Sequence, residues 1–575
     1  MLIGLTGRLL ADHKGAVLAI VVLQLVQTTA NLLLPTLNAA IIDNGIVRGD
    51  IPAILNLGSW MAAIACAQVA AAIAAGYLGA VVAMELGRKL REDLFARVQS
   101  LSSQEAGAFG AASLVTRATN DVAQIQNLMV LVFTMLVAAP AIFIGGIVLA
   151  VHQDIALSGI VVAVIPVLAV IMVLIVRRLV PLYRQGQELI DRISRVLREQ
   201  IIGANVIRGF VRQGHEIRRF DGANRDLTRN NLRSALLVAG MMPLIMLVVN
   251  LSSVGVVWFG GHRIQSGDMR LGALTAFIAY ILQILIAIMM AMYVFMTAPR
   301  AAACAERIQA VLDTAPAITD GPGGAAPEGT AVEFSDVSFA YPGAEAPVLD
   351  GVSFTAAPGT VTAVIGATGC GKTTLLNLLP RFLEATAGHI RIGGCDVRSL
   401  PLAALRSMVA VVPQHSYLFS GTLAGNLRMA APAATDKDLW QALDTAQAAE
   451  FVRELPLGLE SPVSQGGTNF SGGQRQRLCM ARALLRRAPV YLFDDSFSAL
   501  DYGTDYRLRE AMAPLLHKAT VLIVAERVAT IVDAGLILVL EDGRVVAQGT
   551  HLELMASSPS YQEIAASQLV PEETL

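Results

Sequence analysis

The chain is 575 residues long, 54% of its residues are hydrophobic, only 15% are charged, and its mean hydropathy is +0.58. Length alone would predict about four domains of ~150 residues, but so apolar a composition excludes a chain built only of water-soluble domains. The net charge of −2 gives no general attraction to nucleic acid, so no nucleic-acid partner is expected. The five cysteines are scattered without metal-ligand spacing, and we expect all of them to be reduced thiols.

The apolar residues are concentrated before residue 300, whereas the rest of the chain has the pattern of a soluble α/β domain. The start, from Met1 to Lys14, lacks the layout of a cleavable signal peptide, so the first apolar stretch is expected to be kept. Six stretches are long enough to cross a lipid bilayer, which takes ~20 residues. These predicted spans lie at about 15–42, 53–84, 127–151, 155–176, 235–260 and 271–297.

Positive charge lies mainly in two long connections, 85–126 and 177–233, which contain residues such as Arg88 and Arg192. The opposite connections are short and nearly free of positive charge, as at His152 to Asp154. Positively charged connections stay on the cytoplasmic side of a membrane. We therefore expect a multi-pass protein of the cell membrane with both termini in the cytoplasm.

The two long connections are themselves helical in pattern. From Leu179 to Leu197, apolar residues recur at helical spacing, which predicts that membrane helices continue into the cytoplasm. Such helices, with mixed charged and apolar residues, could dock onto another domain or form a solvated hairpin. The sequence leaves both alternatives open.

Within the spans full charges are nearly absent, but amides recur. Gln24, Gln27 and Asn31 fall on one helix face, and Gln68 and Gln283 lie in other spans, as do Asn38 and Asn250. Polar groups inside a bilayer form hydrogen bonds between helices or line a cavity. No chain of acidic residues for proton transfer is visible, which argues against an ion-driven carrier.

Residues 313–330 are rich in Pro, Gly and Ala and predict a linker between two domains. The predicted organisation is thus a transmembrane domain over 1–312, the linker, and a nucleotide-binding domain over 331–575. The fold class is an α-helical transmembrane domain followed by an α/β P-loop ATPase domain.

The second domain begins with a phosphate-binding loop. The pattern G-x-x-x-x-G-K-[ST] is matched from Gly366, with Lys372 and Thr373 at its end, between a predicted strand and a predicted helix. The loop comprises Gly366, Ala367, Thr368, Gly369, Cys370, Gly371, Lys372, Thr373 and Thr374. Its backbone N–H groups and helix N-terminus suit phosphate oxygens, Lys372 the β/γ-phosphates and Thr373 a Mg²⁺ ion. A chance match in a glycine-rich turn is the alternative, and the flanking strand and helix argue against it.

Together with the motifs that follow, the whole chain resembles half-transporters of the ATP-binding cassette (ABC) family with the exporter-type fold. Phe109-Gly110 and residues 116–121 also resemble the first cytoplasmic connection of that family. The resemblance implies that Tyr341 stacks on adenine and that Gln414 reaches Mg²⁺ and the attacking water. It also implies that Asp494, at the end of a strand, holds Mg²⁺, and that Asp501 belongs to a loop through which two ATP sites communicate. ATP and Mg²⁺ are the implied cofactors.

The signature loop of the family is matched by Phe470, Ser471, Gly472, Gly473 and Gln474, with Phe in place of the usual Leu. In the family this loop grips the γ-phosphate of ATP bound to the other cassette. A chain with one cassette is therefore expected to form a dimer.

Two residues depart from the family pattern. Asp495 stands where the family has a glutamate as general base, and Glu526 stands where it has a histidine that bonds the γ-phosphate. An aspartate falls short of the water by roughly 1.5 Å, one C–C bond, and such a misplacement can cost about a hundredfold in rate. The alternative is that both residues are tolerated in a working homodimer. A third departure, Gln465 for the usual Glu, agrees weakly, whereas Cys370 is expected to be a small tolerated residue.

The resemblance therefore implies one subunit of a bacterial heterodimeric multidrug exporter, in which this chain's own ATP site is degenerate. Its partner would carry the catalytic Glu and the switch His, and hydrophobic or amphiphilic compounds would be the substrates. A lipid flippase, an importer with the exporter fold and a non-transporting regulatory subunit remain alternatives. The high Ala, Gly and Arg content with little Lys indicates a GC-rich bacterium such as an actinobacterium.

Overall fold

The structure is a computed structural model that describes residues 2–323 and 327–568. It contains two compact units. The helical unit comprises Met1–Arg97 and Ala112–Asp313, and the α/β unit comprises Val98–Ala111 and Thr314–Leu575. The segment 98–111, which the sequence places in the membrane domain, is thus part of the α/β unit.

Eleven helices precede the linker within the described residues. They are α1 Leu2–Leu10, α2 Lys14–Ala40, α3 Ile51–Ser100, α4 Ser103–Phe109, α5 Ala111–Thr116, α6 Val122–Leu131, α7 Ala138–Gln153, α8 Ile155–Ile202, α9 Ala204–Gly209, α10 Gln213–Gln265 and α11 Leu271–Asp313. Short π-helical turns at Ile41–Ile46, Arg117–Asp121 and Val132–Leu136 extend or join some of them.

Six of the described helical stretches are long and apolar enough to cross a membrane, which confirms the predicted number. They are Ala11–Ile46, Ile51–Ser100, Ala111–Gln153, Ile155–Ile202, Gln213–Gln265 and Leu271–Asp313. At 1.5 Å per residue, the 53 residues of α10 extend about 80 Å, far more than the ~30 Å hydrocarbon core. The helices therefore continue well beyond the bilayer, as their periodicity predicts.

Amides join three of these helices. Gln68 of α3 donates to Asn31 Oδ1 at 3.3 Å, and Gln283 of α11 donates to the Asn31 carbonyl at 3.2 Å. The hydroxyl oxygens of Tyr280 and Thr36 are 2.6 Å apart and form a hydrogen bond, again between α11 and α2. For these residues the hydrogen bonds between helices favour the first of the two alternatives that the sequence leaves open.

Two ion pairs fix the ends of the long helices. Asp154, which is buried, caps the start of α8 through the Leu157 N–H at 2.9 Å and accepts from Arg263 near the end of α10 at 2.8 Å. Asp121, also buried, accepts two hydrogen bonds from Arg307 of α11 at 2.7 and 2.8 Å. A buried carboxylate is stable only when it is paired in this way.

Twelve strands form the sheets of the described α/β unit. They are β1 Val332–Phe339, β2 Leu349–Ala356, β3 Val361–Ile365, β4 Ala387–Ile392, β5 Cys395–Asp396, β6 Val409–Val412, β7 Gly421–Thr422, β8 Pro462–Val463, β9 Val490–Asp494, β10 Thr520–Val524, β11 Leu536–Glu541 and β12 Arg544–Gly549. One sheet has the order β2-β1-β4-β5 and is antiparallel, and β7 pairs with β8. The main sheet has the order β12-β11-β3-β10-β9-β6, and only β12 in it runs antiparallel.

Ten α-helices follow the linker within the described residues. They are α12 Lys372–Leu378, α13 Leu402–Met408, α14 Leu423–Arg428, α15 Asp436–Thr445, α16 Ala449–Glu454, α17 Gly472–Leu485, α18 Tyr502–Leu516, α19 Val528–Ile531, α20 His551–Ser557 and α21 Pro559–Gln568. β9 and β10 are buried along their whole length, because a parallel sheet is covered on both faces.

The described residues between Asp313 and Val332 form no helix or strand, but some of them are bonded to the α/β unit. The Asp320 carboxylate accepts from the Leu402 N–H at 2.8 Å, and the Gly321 N–H donates to the Leu400 carbonyl at 3.3 Å. Residues 324–326 of the predicted linker lie outside the described residues.

Candidate nucleotide site

The register of the main sheet brings the predicted site residues to one edge. Val524 of β10 pairs with Val364 of β3 on one side and with Asp494 of β9 on the other. All three strands end at the same edge of the sheet. β3 leads into the phosphate-binding loop, β9 leads into Asp495, and β10 leads into the segment of Glu526. Ligands of parallel α/β sheets bind at the carboxyl ends of the strands.

The phosphate-binding loop is tightly wrapped and leaves its tip open. Gly371 has φ 104°, and a Cβ there would lie 2.8 Å from Leu349 Cδ2, so only glycine fits. Ala367, Thr368, Gly369 and Thr373 are exposed, whereas Lys372 is buried and its Nζ donates to the Gly366 and Ala367 carbonyls at 2.8 Å each. The loop thus holds the ammonium group of Lys372 beneath a rim of exposed residues.

The side chains at the two ends of this loop contact other predicted site residues. Thr373 Oγ1 donates to Asp494 Oδ1 at 2.9 Å, which brings together the two oxygens predicted for Mg²⁺. Burial raises the pKa of the Asp494 carboxyl, and the Thr373 hydrogen bond opposes this shift. A hydroxyl paired with a carboxylate is a donor set that suits Mg²⁺.

Tyr341 lies beside the same loop. Its hydroxyl is 3.2 Å from Thr374 Oγ1, its ring packs edge-on against Phe339, and the side chain is 40% exposed. An exposed aromatic face next to the loop is available for a base to stack on.

Cys370 is buried in the loop, and burial raises the pKa of its thiol despite the nearby charge of Lys372. A thiol whose pKa is raised is less reactive. The structure therefore agrees with a small tolerated residue at this position.

Asp495 has an unusual backbone and an acidic neighbour. Its φ is 45°, and its N–H donates to the Val524 carbonyl at 3.0 Å. Burial raises the pKa of the Asp495 carboxyl, the negative charge of Glu526 adds to the shift, and hydrogen bonds from Ser498 and Gln414 oppose it. The structure thus brings Asp495, Gln414 and Glu526 together, with two carboxylates on one side of the site.

The signature loop starts a long helix. Ser471 caps α17: its hydroxyl accepts from the Gln474 N–H at 3.3 Å, and its own N–H donates to Gln474 Oε1 at 2.9 Å. Phe470 before it is buried, while Ser471 and Gly472 are exposed. Among the described residues, no hydrogen bond joins this loop to the phosphate-binding loop, so the two present separate surfaces.

Asp501 has a local role that its motif does not reveal. Its carboxylate caps α18 by accepting from the Thr504 N–H at 2.9 Å. Sequence reasoning also missed Arg527, which donates to two carbonyls of the loop 498–501, and Gln568, which bonds the segment of Glu526. The position of Arg527 beside Glu526 was a signal for the first, whereas nothing local marks the second.

Six membrane-crossing helices joined to a sheet with this loop at its carboxyl edge define the ABC class of membrane ATPase. Residues 17–289 match the family described as ABC transporter transmembrane region, and residues 349–498 match the family described as ABC transporter. The chain belongs to the ABC transporter family. It is an exporter-type half-transporter and a multi-pass membrane protein, and its ATPase domain implies ATP hydrolysis coupled to transport.

The chain is similar to several proteins over nearly its full length. It is 43% identical over 580 residues to an uncharacterised ABC transporter ATP-binding protein of Mycobacterium tuberculosis, covering 99% of this chain and 98% of the relative. It is 35% identical over 554 residues to one of Bacillus subtilis, covering 95% of each. It is 30% identical over 528 residues to an ATP-dependent lipid A-core flippase of Chromobacterium violaceum, covering 92% of this chain and 90% of the relative.

The fold is also that of a solved structure. A bacterial Atm1-family ABC exporter with ATP bound superposes with a TM-score of 0.82 at 23% identity, covering 98% of this chain and 100% of that chain. At this identity the likeness establishes the fold alone.

Proposed function

We propose that this chain is one subunit of a heterodimeric, ATP-driven exporter of hydrophobic or amphiphilic compounds, active in multidrug efflux at the cell membrane. Its own ATP site is degenerate, and its intact signature loop serves the site of the partner. The partner carries the catalytic Glu and the switch His. The proposed division is a transmembrane domain over 1–312, a linker over 313–330 and a nucleotide-binding domain over 331–575, with both termini in the cytoplasm.

The proposal that this site is degenerate rests on two carboxylates, those of Asp495 and Glu526, at its catalytic edge. The negative charge of Glu526 is close enough to raise the pKa of Asp495 further. An ionised Glu526 cannot donate to a γ-phosphate, and its charge opposes the approach of a triphosphate. The side chain of Asp495 is one methylene shorter than the glutamate that serves as general base in the family. We therefore expect ATP to bind here and to be hydrolysed slowly or not at all.

ATP binding itself is supported by the loop. Its open rim of backbone, the buried Lys372 beneath it and the exposed ring of Tyr341 offer groups for phosphates and base. Thr373, Asp494 and Gln414 would hold Mg²⁺, which when bound neutralises charge on the β- and γ-phosphates. These residues orient the nucleotide, while the chemistry of the partner's site depends on the partner's own base.

A second chain is supported by an exposed apolar surface in the connection between α8 and α10. This surface, which we call the 201–211 surface, consists of Ile201, Ile202, Val206, Phe210 and Val211, each more than 60% exposed. Apolar side chains at the tip of a helical hairpin favour docking over solvation. The surface therefore supports a cytoplasmic contact with another domain, as the helical pattern of this connection allows.

The substrate class is supported by the spans. The six predicted spans contain no Asp, Glu, Lys or Arg, and their polar side chains are amides and hydroxyls. An uncharged membrane interior suits hydrophobic and amphiphilic compounds more than ions.

A lipid flippase is the second candidate, because one of the relatives carries that name at 30% identity. An importer would share the same fold. A regulatory subunit that only binds ATP is less well supported, since it would not need the signature loop that caps α17 here.

The test compares this chain alone with the chain co-expressed with a candidate partner half-transporter. Both preparations are reconstituted in vesicles, and phosphate release and ATP-dependent substrate movement are measured. We expect little ATPase activity from this chain alone and its restoration by the partner. A homodimer with turnover in the usual range of ~1–10 per second would contradict the proposal. The direction and the substrate that moves distinguish exporter, importer and lipid flippase.

A further inference from the structure

The segment that follows β10 is bonded to the loop 498–501 by one side chain. Arg527 donates to the Ser498 carbonyl at 3.2 Å and to the Leu500 carbonyl at 3.3 Å. Its guanidinium also lies 5.3 Å from the centroid of the Tyr502 ring. Because a guanidinium is planar and presents several donors, two carbonyls and a ring fix its orientation.

The same segment is held on its other side by the end of α21. Gln568 Nε2 donates to the Glu526 carbonyl at 2.7 Å, and Gln568 Oε1 accepts from the Val528 N–H at 2.8 Å. One amide thus bridges the backbone on both sides of Arg527. A displacement of Glu526 is therefore passed on through Arg527 instead of being absorbed by a loose backbone.

The loop 498–501 in turn lies between this chain's own site and its signature loop. Ser498 donates to the Asp495 carbonyl at 3.0 Å, and Gln476 of α17 donates to the same carbonyl at 3.3 Å. A Cβ placed on Gly473 would lie 3.3 Å from the Ala499 carbonyl oxygen. A shift of the loop thus reaches α17 through the Asp495 carbonyl, which accepts from both Ser498 and Gln476, and Ala499 lies close beside Gly473.

We propose that Arg527 is a positioning residue that couples nucleotide occupancy in this chain's own ATP site to its signature loop. The inference rests on the proposed function, because the signature loop matters most when it serves the active site of a partner. A nucleotide that displaces Glu526 moves the guanidinium, the guanidinium moves the carbonyls of Ser498 and Leu500, and these set the position of Gly473.

The test uses the purified transporter in lipid nanodiscs with Arg527→Met, Arg527→Lys and the control Arg453→Met. Arg453 is a matched control, since it pairs with Asp444 at 2.9 Å and lies 5.1 Å from the Trp440 ring centroid, away from the site. Steady-state phosphate release gives kcat and KM, and labelling by a photoreactive ATP analogue reports nucleotide binding to this chain.

We expect Arg527→Met to lower kcat about tenfold, as for a misplaced supporting group, with labelling of this chain changed by less than about twofold. Arg527→Lys keeps the charge and should recover part of kcat, whereas Arg453→Met should leave kcat and labelling unchanged. A loss of kcat without a loss of labelling separates coupling between the sites from nucleotide binding.

Two results would overturn the inference. One is a kcat for Arg527→Met equal to that of Arg453→Met, and the other is a loss of labelling in parallel with kcat, which would assign Arg527 to nucleotide binding alone. If Arg527→Met lowers the melting temperature, Gln568→Ala provides the second variant, and a kcat unchanged by it likewise counts against the coupling. An active homodimer would refute the proposed heterodimer, but the same split measured in it would still support coupling through Arg527.

Discussion

The side-chain amide of Gln283 donates to the Asn31 carbonyl at 3.2 Å, and this is the carbonyl that Pro35 leaves without a helical partner. Proline has no N–H, so it removes the hydrogen bond to the residue four positions before it. Within a bilayer no water can replace the missing donor. A glutamine of α11 thus satisfies a backbone group that α2 cannot satisfy for itself.

The first prediction follows from this pair. Gln283→Leu should lower the free energy of unfolding by about 1 kcal/mol, the size of hydrogen bonds between membrane helices. In a Pro35→Ala background the same change should cost much less, because residue 35 then supplies an N–H to Asn31. Thermal unfolding of the wild type, the two single variants and the double variant in detergent measures the difference. Strictly additive effects would show that the two sites are independent.

The second prediction concerns the phosphate-binding loop. Lys372→Ala should reduce labelling of this chain by a photoreactive ATP analogue at least about tenfold, or ~1.4 kcal/mol, because it removes the charge beneath the phosphates. Lys518→Ala, which changes an exposed lysine in the same unit, is the control and should leave labelling unchanged. Equal labelling of both variants would contradict the assignment of the loop.

The third prediction concerns the asymmetry of the two composite sites. Gly473→Asp and Ser471→Ala should reduce phosphate release by the complex about a hundredfold, as the loss of an anion-binding group does elsewhere. Asp495→Ala should change it less than about twofold, since its site contributes little chemistry.

The comparison needs a stability control, because Ser471→Ala also removes a helix cap worth about 1 kcal/mol. Melting temperatures of the purified complexes separate that effect from the effect on turnover. If Asp495→Ala is as damaging as Gly473→Asp, the two sites contribute equally and the asymmetric model is wrong.

The fourth prediction concerns the 201–211 surface. Phe210 is 76% exposed there, and Phe210→Asp should uncouple ATP hydrolysis from transport by weakening an apolar contact with another domain. Substrate transport in vesicles should fall about tenfold, the effect of ~1.4 kcal/mol. Phe210→Leu keeps the apolar character and should retain most transport. Normal transport by the Asp variant would favour a solvated hairpin instead.

Local pattern predicted the architecture well. The six apolar helices and the glycine-rich loop between β3 and α12 depend on periodicity and on short motifs, and both are visible in the sequence. The parallel strands that end at Ile365 and Asp494 were also marked by their apolar runs. Contacts between distant residues were not predictable. Arg307 pairs with Asp121 across 186 positions, and no local signal connects them.

Some site properties also depend on the tertiary structure. The motif of Asp501 predicted communication between sites, whereas its carboxylate also caps α18, a role that requires the backbone direction to be known. The assignment of 98–111 to the α/β unit could not be foreseen either, because it depends on contacts between residues far apart in the sequence, such as the Glu105 carboxylate that accepts from the Ala317 N–H at 2.7 Å.

The reciprocal hydrogen bonds between Ser471 and Gln474 have a consequence for the kinetics of the transport cycle. The start of α17 is ordered by the chain itself, so its conformational entropy is lost on folding and not when a phosphate arrives. On the proposed function, a nucleotide that leaves this surface does not have to wait for a helix to unwind, and one that arrives does not have to wait for it to form. The opening and closing of the transporter can then be limited by the movement of whole domains and not by local refolding.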